Sequence, residues 1–146
     1  MDTESLLKLL NANDVKYVII GASAFPVHGY VRATLDLDIF IESTQENARR
    51  TLAALQEFGY DISELNEKDL LTHKVLIRQY IVETDIHPFV AGATFAEVWD
   101  TKVEGLYGET STFFASLPLL VKMKKAAGRA KDLEDLKYLQ RLVDKE

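Results

Sequence analysis

From residue 3 to residue 13 apolar positions recur at helical spacing, with Leu6, Leu7 and Leu10 on one side, which predicts an amphipathic helix. The period then shortens. Val15 to Ile20 (VKYVII) is apolar and β-branched and predicts a buried strand, ending at Gly21, Ala22 and Ser23 before a helix expected from Ala24 through His28. From Leu35 onward the residues alternate strictly. Leu35, Leu37, Ile39 and Ile41 share one face of a predicted strand, and Asp36, Asp38, Phe40 and Glu42 share the other. Ser43 and Glu46 suggest a capping box for a helix with the stripe Ala48, Leu52, Leu55 and Phe58, stopped by Gly59. The run from Leu71 to Val90 is strand-rich and long enough to bend or break in two. Phe95 and Trp99, four apart on a short helical segment, read as core. Ser116 is the expected N-cap of a helix to Ala127 closed by Gly128, and Leu133, Leu136, Leu139 and Val143 stripe a final helix. This order, roughly αβαβα followed by two or three strands and two helices, predicts an α/β sandwich: a mixed sheet packed by helices, with C-terminal helices closing over it.

Two carboxylates stand out in that pattern. On a strand, residues two apart sit roughly 6.5 to 7 Å apart at the backbone. Asp36 and Asp38 can therefore converge on one Mg²⁺ or straddle a pair of ions about 3.5 to 4 Å apart. The competing reading is the solvated face of an edge strand. What precedes them bears on the choice. A strand running through Gly21 and Ser23 into a helix start lets the backbone approach an anion closely, and free N–H groups favour phosphate. The chain thus sets a glycine turn ahead of Asp-Leu-Asp by a fixed interval, Ser23 to Leu35.

A second signal lies near the C-terminus. Leu117, Leu120, Val121 and Lys124 fall on one helical stripe, so Lys124 is an inward-facing cation. Burying it unpaired costs several kcal/mol. Its counter-charge is either a phosphate or a carboxylate of the last helix, Asp132 or Asp135, and the sequence leaves both open.

The order apolar-Gly-small, a short spacer, then Asp-apolar-Asp-apolar resembles the signature of the nucleotidyltransferase superfamily that includes DNA polymerase beta. HGYVRATLDLDI (His28 to Ile39) resembles more closely a bacterial branch of small nucleotidyltransferase-like proteins related to abortive-infection and toxin–antitoxin types. KKAAGRAKDLEDL (Lys124 to Leu136) is similar to the helical tail of that branch, at Lys124, Ala126, Gly128, Arg129, Lys131, Asp132 and Asp135. The resemblance implies a site in which Asp36, Asp38 and a third carboxylate hold two Mg²⁺ ions and carry the catalysis. Asp85 is the best match for the third, with Glu83, two residues earlier on the same strand face, as its competitor. Gly21 and Ser23 are implied to cradle nucleotide phosphates, with Arg32, Lys124 and Arg129 as further nucleotide contacts. Ala22 departs from the pattern, which prefers Gly or Ser there. The implied reaction moves a nucleoside monophosphate from a nucleoside triphosphate to an acceptor hydroxyl, releasing pyrophosphate. The alternative is a non-catalytic nucleotide- or partner-binding module, antitoxin-like, on the same fold. His28 reads as structural, holding the turn.

Composition narrows the setting. With 146 residues, 47% hydrophobic, the chain supports one core, and a single domain over 1–146 is expected. Without cysteine it forms neither disulfides nor thiolate metal sites, which suits the cytoplasm. No apolar run reaches membrane length, and MDTESLLK is too acidic for a signal peptide. A net charge of −6 argues against broad nucleic-acid binding. Lys122, Lys124, Lys125, Arg129 and Lys131 nonetheless concentrate positive charge where a triphosphate or an RNA end could use it. Acceptor choice is expected to fall to a protein partner or to a second copy in a homodimer.

Overall fold

Asp2 starts the first helix by accepting the Ser5 amide, and α1 (Thr3–Ala12) then buries Leu6, Leu7 and Leu10 completely. The computed structural model describes residues 2–31, 36–80 and 82–145. Strand β1 (Tyr17–Ile20) is buried at every position, as its unbroken apolar run requires, and it lies inside the sheet. Its outgoing chain makes two short 3₁₀ turns, Gly21–Ala24 and Pro26–His28, where an α-helix is expected from sequence. Pro26 is the physical reason: it has no amide hydrogen to give and so starts a new turn.

Strand β2 (Asp36–Ile41) runs antiparallel to β1, with Leu37, Ile39 and Ile41 all but fully buried. Helix α2 (Gln45–Phe58) ends at Gly59, whose φ of +107° is the left-handed cap. Its N-cap is Thr44, not Ser43: Thr44 accepts the Asn47 amide, while the Ser43 hydroxyl donates to the Pro88 carbonyl. α3 (Glu67–Thr72) carries a reciprocal Asn66/Asp69 capping box, and α1, α2 and α3 pack in sequence.

The long strand-rich run does break in two. β3 (Val75–Ile77) and β4 (Glu83–His87) pair antiparallel, and β4 then pairs parallel to β2. α4 (Phe95–Asp100) sets Phe95 edge-on against Phe40, with ring centroids 5.3 Å apart, and Trp99 stacks on Phe95. Both rings serve packing. A hairpin of β5 (Val103–Tyr107) and β6 (Thr110–Phe114) completes a mixed six-stranded sheet in the order β3-β4-β2-β1-β6-β5, with β6 parallel to β1. Helices α5 (Leu117–Ala127) and α6 (Ala130–Lys145) pack on each other across Gly128. The result is an α/β fold with a mixed sheet packed by helices. Among the described residues no helix is long and apolar enough to cross a membrane.

Candidate active site

The side chains of Asp36 and Asp38 emerge from the same face of β2, as alternation demands, while the opposite face is buried. The parallel pairing with β4 puts Glu83 opposite Asp36 and Asp85 opposite Asp38. Adjacent strands lie only about 4.8 Å apart, so four carboxylates crowd one patch of sheet. Asp85 is the most enclosed, its side chain 7% exposed, whereas Asp36 and Glu83 keep about a third of theirs. The sequence alternatives for a third carboxylate, Glu83 and Asp85, thus both face the Asp-Leu-Asp pair.

Such crowding needs compensation. Glu83 and Asp36 share a hydrogen bond, and this, with partial burial, raises the Glu83 carboxyl above its ordinary value despite the pull of Arg78. Arg78 supplies the main positive charge. Its Nη1 donates to Asp85 Oδ1 at 2.7 Å, its Nη2 lies 3.8 Å from Asp36 Oδ2, and its Nε lies 3.6 Å from Glu83 Oε2. Lys74 Nζ adds a looser contact, 3.9 Å from Asp85 Oδ2. Asp38 has a different partner. His87, next on the same face of β4 after Asp85, donates from Nε2 to Asp38 Oδ1 at 2.8 Å.

The glycine turn abuts this patch. Gly21 has φ +66°, and a Cβ there would stand 3.0 Å from Asp38 Oδ2, so glycine is what lets Asp38 sit against the turn. Ser23 is buried, and its hydroxyl donates to the Asp36 carbonyl at 2.9 Å, tying the turn to the start of β2. Its one proton is therefore committed to the backbone. Arg32 lies outside the described residues. His28 holds the second turn, its Nε2 donating to the Ala115 carbonyl.

Lys124 takes the carboxylate partners. Its Nζ is 3.0 Å from Asp132 Oδ1 and 3.2 Å from Asp135 Oδ2, both on α6 and both almost wholly buried. Arg129 joins them through Nε to Asp132 Oδ2 at 2.7 Å. Burial, the strongest influence on Asp132, opposes its charge, yet hydrogen bonds from Arg129 and Lys124 together hold its carboxyl well below the usual range. Arg129 remains 59% exposed and lies near enough to feel the charge of Asp38. The Tyr30 hydroxyl donates to Asp135, and Tyr30 stacks between Phe25 and Tyr138, so the chain leading toward Asp36 is pinned to α6. Tyr30 and Arg129 thereby link the C-terminal helices to the side of the molecule that carries Asp38.

Arg78 and His87 are the residues that sequence reasoning misses. For His87 the signal is present: it continues the alternation of Glu83 and Asp85. For Arg78 the signal appears only once β3 is known to pair with β4, which sets Lys74, Leu76 and Arg78 on the face of Asp85.

The donor set is chemically suited to a hard cation such as Mg²⁺, being carboxylate oxygens on one face. Among the described residues no three His, Asp or Glu side chains converge as a metal site, and one oxygen each of Asp85 and Asp38 is engaged by Arg78 and His87. No curated protein matches the chain significantly. A family model described as a nucleotidyltransferase of unknown function does match, from residue 2 to residue 144. A glycine turn set against a strand-borne Asp-Leu-Asp, with further carboxylates in register beside it, sits within that match, and the chain belongs to this family of nucleotidyltransferases of unknown function, DUF6036.

Proposed function

We propose that the protein is a Mg²⁺-dependent nucleotidyltransferase that moves a nucleoside monophosphate from a nucleoside triphosphate onto an acceptor hydroxyl. The observation that carries this reading is the parallel register of Asp36 and Asp38 with Glu83 and Asp85, beside a glycine turn. Asp36, Asp38 and Asp85 would hold the Mg²⁺, which when bound neutralises triphosphate charge.

The remaining steps belong to this chain's own groups. Asp85, most enclosed of the carboxylates, accepts the proton of the acceptor hydroxyl. The hydroxyl oxygen bonds to the α-phosphorus as the bond from that phosphorus to the β-phosphate oxygen breaks, and pyrophosphate leaves with the electron pair. The turn at Gly21 leaves room for phosphate to approach the backbone. Arg129, largely exposed and within electrostatic reach of Asp38, is better disposed than Lys124 to counter the leaving charge, since Lys124 is held between two buried aspartates.

A second reading has its own observation. Asp85 and Lys124 each already have a close partner of opposite charge, which suits a non-catalytic, antitoxin-like module that binds nucleotide or a protein. Incubation with each labelled nucleoside triphosphate, Mg²⁺ and a lysate, beside the Asp36→Ala/Asp38→Ala variant, separates the two. Label transfer that disappears in the variant supports the enzyme. Equal nucleotide binding by both proteins, with no transfer by either, rejects it.

A further inference from the structure

We propose that Arg78 is the resident counter-cation of the carboxylate patch, occupying the oxygens a divalent cation would need, so that Arg78 engagement and cation binding exclude one another. The proposal rests on the metal-dependent reading above and adds to it a residue that sets how readily the metal binds.

Four carboxylates on neighbouring strands repel unless positive charge lies among them. Arg78 meets that need through three separate nitrogens, each turned to a different acid: Nη1 to Asp85, Nη2 to Asp36 and Nε to Glu83. A planar fork can do this where the single ammonium of lysine cannot. Lys74 illustrates the difference, reaching one oxygen at 3.9 Å.

The backbone that delivers Arg78 is fixed. Gln79, next in the chain, exchanges two hydrogen bonds with the Asp61 backbone, at 2.7 and 2.9 Å. The Tyr80 hydroxyl donates to the Gly59 carbonyl, and Tyr80 holds φ at +60°, a conformation that non-glycine residues rarely adopt. The loop is thus clamped to the end of α2 while Arg78 turns inward. The arginine side chain is itself 41% exposed. It can swing into water without any movement of the loop. The oxygen it holds most closely, Asp85 Oδ1 at 2.7 Å, belongs to the acid facing Asp38 in register. A cation ligated through that oxygen has to take it from the guanidinium, and one ligated through Asp85 Oδ2 meets the positive charge of Arg78 and of Lys74, 3.9 Å from that oxygen.

The consequence is weak binding of the bare cation, relieved when Arg78 is neutralised. Mn²⁺ titration followed by electron paramagnetic resonance measures it in the full chain, wild type against Arg78→Gln and Arg78→Lys. Arg78→Gln is expected to bind Mn²⁺ about tenfold more tightly, a usual size for coupling between two ligands, with Arg78→Lys between. Melting in chelator should fall for Arg78→Gln and recover on adding Mn²⁺. A second measurement needs only folded wild-type protein. The Arg78 Nε–H resonance, assigned by its absence in Arg78→Lys, should shift as Mg²⁺ is added. Equal Mn²⁺ affinity in wild type and Arg78→Gln, abolished by Asp38→Asn, would overturn the role of Arg78 and leave the metal site standing. An Arg78 resonance unmoved at saturating Mg²⁺ would do the same. Failure of every folded protein to bind Mn²⁺ would overturn both the proposal and the metal-dependent reading.

Discussion

His87 donates through Nε2 to Asp38 Oδ1 at 2.8 Å, reaching from β4 across to β2. Since His87 is the register partner of Phe40, the bond runs diagonally between strands, and it sorts the two oxygens of Asp38. Oδ1 faces the imidazole and Oδ2 faces Gly21. An ionised carboxylate only accepts, so this bond also fixes the tautomer: the proton sits on Nε2. Asp38 is thereby held in one orientation before any ligand arrives.

His87→Ala removes that hold. A side chain that orients a metal-binding carboxylate typically contributes 10- to 100-fold to affinity or rate, and a loss of about that size is expected in Mn²⁺ affinity and in label transfer. His87→Gln, which can still donate toward Asp38, should recover part of the loss. Unchanged Mn²⁺ binding in a folded His87→Ala protein would show the bond to be packing alone.

Gly21→Ala attacks the same carboxylate from its other side. The positive φ costs about 1 to 2 kcal/mol for a residue with a Cβ, and the new methyl would press on Asp38 Oδ2. Urea denaturation should show a stability loss of that order, and Mn²⁺ affinity should fall along with it. Gly29 is the control. It too has a positive φ, but a Cβ there would meet nothing within 4 Å, so Gly29→Ala should destabilise without touching cation binding.

These two residues show what was legible in the chain. The Asp36/Asp38 face and the glycine turn follow from local rules of period and steric freedom, and the strand alternation already carried His87, whereas the run from Leu71 to Val90 left open whether and where it breaks. The parallel register of β2 with β4 does not follow from local rules, because long-range pairing leaves no mark on either strand alone. Arg78 was invisible for the same kind of reason, since its place on the face of Asp85 depends on the pairing of β3 with β4. Lys124 was legible as an inward cation, and its two candidate partners were named, but only the packing of α5 on α6 selects the aspartates. The Ser43 cap failed differently. Ser43 and Thr44 are both good caps, and the Pro88 carbonyl, distant in sequence, claimed the Ser43 hydroxyl.

Glu83 should give stability a pH signature. Its hydrogen bond with Asp36, and then burial, raise its carboxyl above the ordinary 4.5, so the folded chain holds this proton more tightly than the unfolded chain. The stabilisation is complete below pH 4.5 and is lost as pH rises through the raised folded value. Glu83→Gln keeps a donor toward Asp36 and carries no charge. Its melting temperature should match wild type near pH 4 and exceed it at pH 7, with the gap opening as pH rises. A lower melting temperature at pH 7 would mean that the contact with Arg78 outweighs the repulsion from Asp36.

Lys124→Met should be the most damaging of these substitutions to folding. It leaves Asp132 and Asp135 buried with their shared cation gone, a loss that commonly costs about 3 to 5 kcal/mol. Arg129 still reaches Asp132, so the damage should centre on Asp135. The sign of the pH effect follows from Asp132, whose carboxyl lies below its ordinary 3.8 in the folded chain. Its contribution is present above pH 3.8 and is lost only as pH falls through the lower folded value. Without Lys124 the buried acids take up protons more readily, so the deficit should be greatest at pH 7 and narrow toward pH 4. Adding Asp132→Asn and Asp135→Asn to Lys124→Met should restore part of the stability at pH 7, because uncharged amides tolerate the site better than unpaired carboxylates. Urea denaturation at both pH values checks all three proteins. A Lys124→Met loss under about 1 kcal/mol would show that Lys124 does not hold the α5–α6 pair, and would leave it available to phosphate instead.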